Sequence, residues 1–169
     1  DLNSESGFNF DGTLKLNGNT AVLMDADVAK LGAVTDLGSS GNLVAANGME
    51  LASDHSLTGS GTIDSDLVHQ GTITIAENQT VIIRGNLSGT GGTDGSGTLV
   101  ITANYTPGNS PAIVSFGGGL TLGSNAHLVM EIEGPDPGTG YDQLIVAGQL
   151  SVGGTLEVVL AEDYDPVLG

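Results

Sequence analysis

A five-residue phrase recurs through this chain: Gly, any residue, Leu or Ile, any residue, and usually a second aliphatic. It reads Gly12-Thr13-Leu14-Lys15-Leu16, Gly71-Thr72-Ile73-Thr74-Ile75 and Gly97-Thr98-Leu99-Val100-Ile101. It returns as Gly118-Gly119-Leu120-Thr121-Leu122, Gly148-Gln149-Leu150-Ser151-Val152 and Gly154-Thr155-Leu156-Glu157-Val158, with a weaker copy at Gly41-Asn42-Leu43-Val44-Ala45. Alternating apolar and polar positions are the period of a strand buried on one face, and the glycine supplies a turn before it. Strands this short cannot bury an apolar face alone. Many imperfect copies within 169 residues must therefore stack on one another. The predicted fold is all-β: a right-handed parallel β-helix, or β-solenoid, with Gly/Asn/Pro-rich corner loops.

The main copies begin at Gly12, Gly41, Gly71, Gly97, Gly118 and Gly148, in steps of 29, 30, 26, 21 and 30 residues. That spacing suggests coils of two or three short strands with loops of variable length. Further strands are expected at Thr80–Arg84, Ala112–Phe116, His127–Ile132 and Gln143–Val146. In the third of these, Leu128, Met130 and Ile132 fall on one side and His127, Val129 and Glu131 on the other. A wall that buries only its inner face requires such alternation, whereas a doubly covered parallel sheet reads as unbroken apolar runs. Helical signals are nearly missing. The best, Ala21–Leu31, has a mixed period and no convincing cap, and a strand pair, Ala21–Met24 and Asp27–Leu31, competes with it.

The loops are legible too. Gly85–Gly97 reads as a flexible corner, Thr106–Pro111 as a rigid turn, and Gly134–Gly140 as a long excursion off the wall. Proline is expected only in loops, because strand ladders need its missing N–H. Asn17-Gly18 and Asn47-Gly48 are expected to turn through positive φ at coil corners. Phe8-Asn9-Phe10-Asp11 is expected to cap the first coil or to add to a neighbouring subunit.

Charge restricts the partners. The net charge is −17, from 20 acidic side chains against Lys15, Lys30 and Arg84. Nucleic acid and anionic membrane surfaces both need clustered Lys and Arg, so neither is an expected partner. An acidic surface suits solubility, divalent cations and extracellular settings. The chain has no cysteine, which excludes disulfides, thiolate metal sites and a Cys nucleophile. No apolar run approaches the roughly 18 residues of a membrane span, so direct membrane insertion is not expected. We read 1–169 as a single β-solenoid segment, a mature product or an excised part of a longer protein or assembly.

The search for chemistry returns mostly bland readings. The Gly-x-Ser-x-Gly elbow is absent. Gly108-Asn109-Ser110-Pro111-Ala112 approaches it but reads as a turn. His55, His69 and His127 are scattered without metal-type spacing, and His127 alternates outward. Four i, i+2 carboxylate pairs remain: Asp25/Asp27, Asp64/Asp66, Glu131/Glu133 and Asp163/Asp165. On a strand each pair lies on one face, about 6–7 Å apart. Such a pair suits Ca²⁺ or an acid–base couple, and equally a solvated face that keeps the wall soluble. Calcium at Asp25/Asp27 or Asp64/Asp66 is the only cofactor expectation, because neighbouring coils are expected to lack a Lys or Arg that would relieve the repulsion. The Ca²⁺-loop motifs are absent, and Gly91-Gly92-Thr93-Asp94-Gly95 only approaches one. Exposed aromatic rings for sugar stacking are not evident, and Phe116 is assigned to packing. We therefore expect no enzyme, and no catalytic, cofactor-binding or metal residues. The alternative is a secreted polysaccharide-acting enzyme using the paired carboxylates. A ligand-binding Thr ladder is weaker still, since Thr72/Thr74 is the one clear Thr-x-Thr.

The run Tyr105-Thr106-Pro107-Gly108-Asn109-Ser110-Pro111, followed by Phe116–Leu128, resembles a repeat of bacterial secreted β-helix proteins. These include autotransporter passenger domains and large surface proteins of planctomycetes and cyanobacteria. Tyr141–Gly148, Gly153–Val158 and Tyr164–Gly169 look like the rest of that unit. The resemblance covers about residues 98–169; the first half shares only the general phrase. It implies secretion to the extracellular space or bacterial cell surface. It further implies a structural or adhesive rod, with other surface proteins or cell-surface glycans as partners. Independently of the resemblance, the two open ends of a β-helix carry unpaired backbone groups, so copies are expected to self-associate end to end into filaments. The scaffold alone does not fix an activity.

Overall fold

The computed structural model describes residues 2–4, 11–25, 27–108, 111–162 and 164–165, and contains strands and turns without a helix among them. After β1 (Leu2–Ser4), the strands come in threes. The first turns are β2 (Thr13–Lys15), β3 (Thr20–Asp25), β4 (Ala29–Lys30); β5 (Val34–Asp36), β6 (Gly41–Ala45), β7 (Met49–Leu51); and β8 (Ser56–Thr58), β9 (Gly61–Asp64), β10 (Leu67–His69). The middle turns are β11 (Thr72–Thr74), β12 (Thr80–Ile83), β13 (Leu87–Gly89); and β14 (Gly92–Asp94), β15 (Thr98–Ile101), β16 (Asn104–Pro107). The last are β17 (Ile113–Phe116), β18 (Gly119–Leu122), β19 (His127–Ile132); and β20 (Gln143–Val146), β21 (Leu150–Val152), β22 (Thr155–Leu160).

Strands are dealt in strict rotation into three parallel sheets. Sheet A runs β1-β3-β6-β9-β12-β15-β18-β21, sheet B runs β4-β7-β10-β13-β16-β19-β22, and sheet C runs β2-β5-β8-β11-β14-β17-β20. This is a three-walled parallel β-solenoid, each turn stacked on the one before. The helix-or-strand ambiguity at Ala21–Leu31 resolves as β3 and β4, and all seven copies of the phrase form strands.

The spacing of the phrase is not the pitch of the coil. Leu43 pairs with Ile63 and Ile63 with Ile83, so a turn takes 20 residues there. Steps range from 16 residues, Ser56 to Thr72, up to 30, Leu120 to Leu150. The copies at Gly12 and Gly71 lie in sheet C, those at Gly41, Gly97, Gly118 and Gly148 in sheet A, and that at Gly154 in sheet B. One short strand plus one tight turn serves all three walls equally, so the phrase marks strands and not turns of the coil.

Register converts the alternation into columns. Sheet A stacks Ala21, Leu43, Ile63, Ile83, Ile101, Leu122 and Val152. Sheet B stacks Ala29, Met49, Leu67, Leu87, Tyr105, Leu128 and Leu156. Sheet C stacks Leu14, Thr35, Leu57, Ile73, Thr93, Phe116 and Val146. The columns meet along the axis in one core that reaches from Leu16 to Leu128. Burying each Leu or Ile there stabilises the fold by about 1.5–3 kcal/mol relative to exposure. Phe116 is in this core, its ring edge-on to Tyr105 at 6.3 Å and 84°.

Two loop expectations are corrected. Gly85–Gly97 is not a flexible corner, because it contains β13 and β14. Its glycines serve close approach: a Cβ on Gly91 would stand 2.6 Å from the His69 ring. Pro107 is not in a loop, because it ends β16 opposite Gly89. The ladder survives since the next residue, Gly108, donates its N–H to Gly89 O at 2.8 Å. Residues 133–142 do form an excursion, closed by Glu133 N–H and Gly134 N–H on Gly140 O at 2.6 and 2.7 Å. This insertion accounts for the longest turn. Asn17 and Gly18 both take positive φ, 52° and 81°, whereas in the Asn47-Gly48 pair only Gly48 does.

Candidate functional site

A polar concavity lies at the corner between sheets A and B. The ends of β6, β9 and β12 run out side by side there, and Asn47, Asp64, Ser65, Asp66, Arg84 and Gly85 line a groove of about 400 Å³. Ser65 points inward and donates to Ala45 O at 2.9 Å. Its neighbours Asp64 and Asp66 therefore point outward, as the i, i+2 reading required. Turn stacking then separates their roles. Asp64 faces Arg84 of the next turn at 3.8 Å, and Asp66 Oδ1 accepts the Asn86 N–H at 2.7 Å. The pair lacks neither a cation nor a donor, because the solenoid brings Arg84 and Asn86 from 20 residues away. Sequence proximity hides such partners.

Of the other pairs, only Glu131/Glu133 is described at both members, and it is divided between a strand and a loop. Glu131 lies on β19 and Glu133 opens the excursion that follows it. The side chain of Asp25, and all of Asp163, lie outside the described residues. So do Ser110 and the Phe8–Phe10 segment. Among the described residues no three His, Asp or Glu side chains gather into a set that could hold a metal ion.

The three histidines have three environments. His55 Nδ1 donates to Leu31 O at 2.8 Å, with Asp54 at 3.6 Å from Nε2. His127, outward on β19, meets Glu157 on β22 at 2.9 Å. His69 is inward and buried, and its Nε2 has no hydrogen-bond partner among the described residues. Burial lowers its pKa from 6.5 to about 4, against a hydrogen bond to the Gly71 backbone that raises it. Alternation could have found this: His69 sits two residues after Leu67 and shares its face.

Asp142 gave no signal in the sequence. It is buried, and its carboxylate bridges two turns: Oδ1 accepts the Ala112 N–H at 2.7 Å and Oδ2 the Glu131 N–H at 2.8 Å. Burial raises the Tyr105 pKa well above the usual phenol, and the charge of Asp142 adds to that. The group anchors the 133–142 excursion, with no free oxygen shown turned to solvent for chemistry.

The last described turn carries exposed apolar side chains. Leu150, Val152, Leu156 and Val158 hold core register yet are 51%, 60%, 57% and 56% exposed. Their column neighbours Leu120, Leu122 and Leu128 are buried. No helix is long and apolar enough to cross a membrane among the described residues. Compared with known protein families, with characterised proteins and with solved structures, the chain matches none.

Proposed function

We propose that this chain is an extracellular structural or adhesive β-solenoid, one block of a rigid surface rod. The observation that carries the reading is the uninterrupted core running through the three-strand rotation. A body in which every turn hydrogen-bonds and packs on the next along one axis resists bending, and transmits load instead of opening around a substrate. Its walls carry short polar side chains, and its acidic charge suits an exposed, soluble surface. The paired carboxylates do not favour the hydrolytic alternative, since Asp64 and Asp66 are engaged by Arg84 and the Asn86 N–H. Bacterial cell-surface placement rests on the likeness of residues 98–169 to secreted β-helix repeats.

The test is immunogold labelling of intact cells that make the protein, before and after shaving with an external protease. Label on the outer surface that shaving removes is the expected result. Label confined to the cytoplasm overturns the reading.

A further inference from the structure

We infer that Asn47 is a site of spontaneous deamidation, where the side-chain amide becomes a carboxylate with water as the only co-reactant, and that the fold holds back the same dipeptide at Asn17-Gly18. The inference stands apart from the surface role proposed above.

An Asn-Gly pair reacts through its own backbone. The glycine nitrogen attacks the side-chain carbonyl carbon of the asparagine, and a cyclic imide closes. The new N–Cγ bond replaces the bond from Cγ to the amide nitrogen, and ammonia leaves with the proton that the glycine nitrogen gives up. Water then opens the imide at either carbonyl, leaving aspartate or its β-linked isomer. Glycine suits the second position because it has no Cβ to crowd the ring. The attack also needs a glycine N–H that is not held by an acceptor, and space beside the peptide.

Asn17-Gly18 and Asn47-Gly48 are the same dipeptide, both at coil corners with the asparagine exposed. Their backbones differ. Gly18 N–H donates to Leu37 O at 3.2 Å. Gly38 of the next turn lies over that peptide: a Cβ built on it would stand 2.9 Å from Gly18 N and 3.2 Å from Asn17 C. At the other pair, Gly48 O accepts the Ala29 N–H at 3.0 Å and the following residue, Met49, donates to Asp66 O at 2.8 Å. The Gly48 N–H between them has no acceptor among the described residues. A Cβ built on Gly48 would meet nothing nearer than Asp66 O at 3.6 Å and Asp66 Cβ at 3.7 Å. Two concavities meet at this dipeptide, the polar groove of about 400 Å³ and a neighbour of about 270 Å³ walled by Val28 and Val68, so water reaches it. Conversion sets a third carboxylate in the groove with Asp64 and Asp66, where Arg84 is the one cation in the lining. The β-linked product also lengthens the main chain just ahead of β7.

Peptide mapping by mass spectrometry tests this, on the whole folded chain held in heavy-oxygen water at neutral and mildly alkaline pH. Acid carrying one heavy oxygen is expected at position 47, rising with time and faster at the higher pH. Position 17 should lag by about fivefold or more, because Gly18 must first give up its hydrogen bond. In the urea-unfolded chain the two positions should convert at similar rates, since the fold no longer separates them. Position 17 keeping pace with position 47 in the folded chain overturns the inference. So does conversion at position 47 that begins only on unfolding. None of these results touches the surface labelling, which judges the rod reading separately.

Discussion

His69 places an imidazole on the inner face in register with Leu51, 2% exposed, beside Gly89 and Gly91, which leave room for it. Its folded pKa, about 4, lies below the 6.5 of an exposed histidine because burial penalises the cation. The sign follows. Between those values the unfolded chain binds a proton that the folded chain refuses, so stability falls as pH falls from 6.5 toward 4. Above pH 6.5 His69 contributes no slope. The loss across that window amounts to about 3 kcal/mol. Urea unfolding at pH 7 and pH 4.5 should show this drop in the wild type and a smaller one in His69→Leu. Carboxylates titrate in both proteins, so the difference between them isolates the histidine. Equal drops would show that the ring is hydrated when folded. Thr35 is a parallel case. Fully buried in the Leu14–Leu57 column, its hydroxyl has no hydrogen-bond partner among the described residues.

At the scale of elements, the 133–142 excursion shows how a solenoid tolerates an insertion. The strands on either side, β19 and β20, stay in register with the turn below. The excursion closes on itself through Gly140 O, and Asp142 fastens its base to β19 and to the start of β17. Asp142→Ala leaves two N–H groups without their acceptor, each costing about 1–3 kcal/mol. A loss of about 2–4 kcal/mol by urea unfolding is expected. Asp142→Asn keeps one acceptor oxygen and should fall between the two. Faster amide exchange at Ala112 and Glu131 should accompany both changes. Exchange that stays slow in Asp142→Ala would mean the excursion holds without this anchor.

Over the whole molecule, stability should vary with position along the axis. A turn in the middle is packed from both sides, whereas the last described turn is packed from one in this structure. Leu57, fully buried in mid-column, should cost about 2–5 kcal/mol when cut to Ala. Leu156 has the same chemistry but is 57% exposed, and Leu156→Ala should cost under about 1 kcal/mol in the monomer. Unfolding of the two variants at low protein concentration checks this. Hydrogen exchange should be slowest around β9 and β12 and fastest in β21 and β22. A Leu156→Ala loss as large as that of Leu57→Ala would mean the last turn is covered in solution.

The sequence by itself determined the strands of the recurring phrase, their buried faces and the all-β solenoid, because a period of two and a glycine before each strand act within five residues; it missed β13 and β14, whose glycines read as a loop. It also placed Phe116 in the core and the long excursion at Gly134–Gly140. Only the tertiary structure decided which wall each strand joins and how long a turn is, because a tight turn into a short strand reads the same in every wall. Stacking brings together residues some 20 apart. That supplied Arg84 to Asp64 and Asn86 to Asp66, set Gly91 against His69, and put Asp142 under two N–H groups. The half-exposed terrace from Leu150 to Val158 was equally hidden. Its residues follow the same alternation as the buried ones, and their exposure comes only from their place in the last described turn.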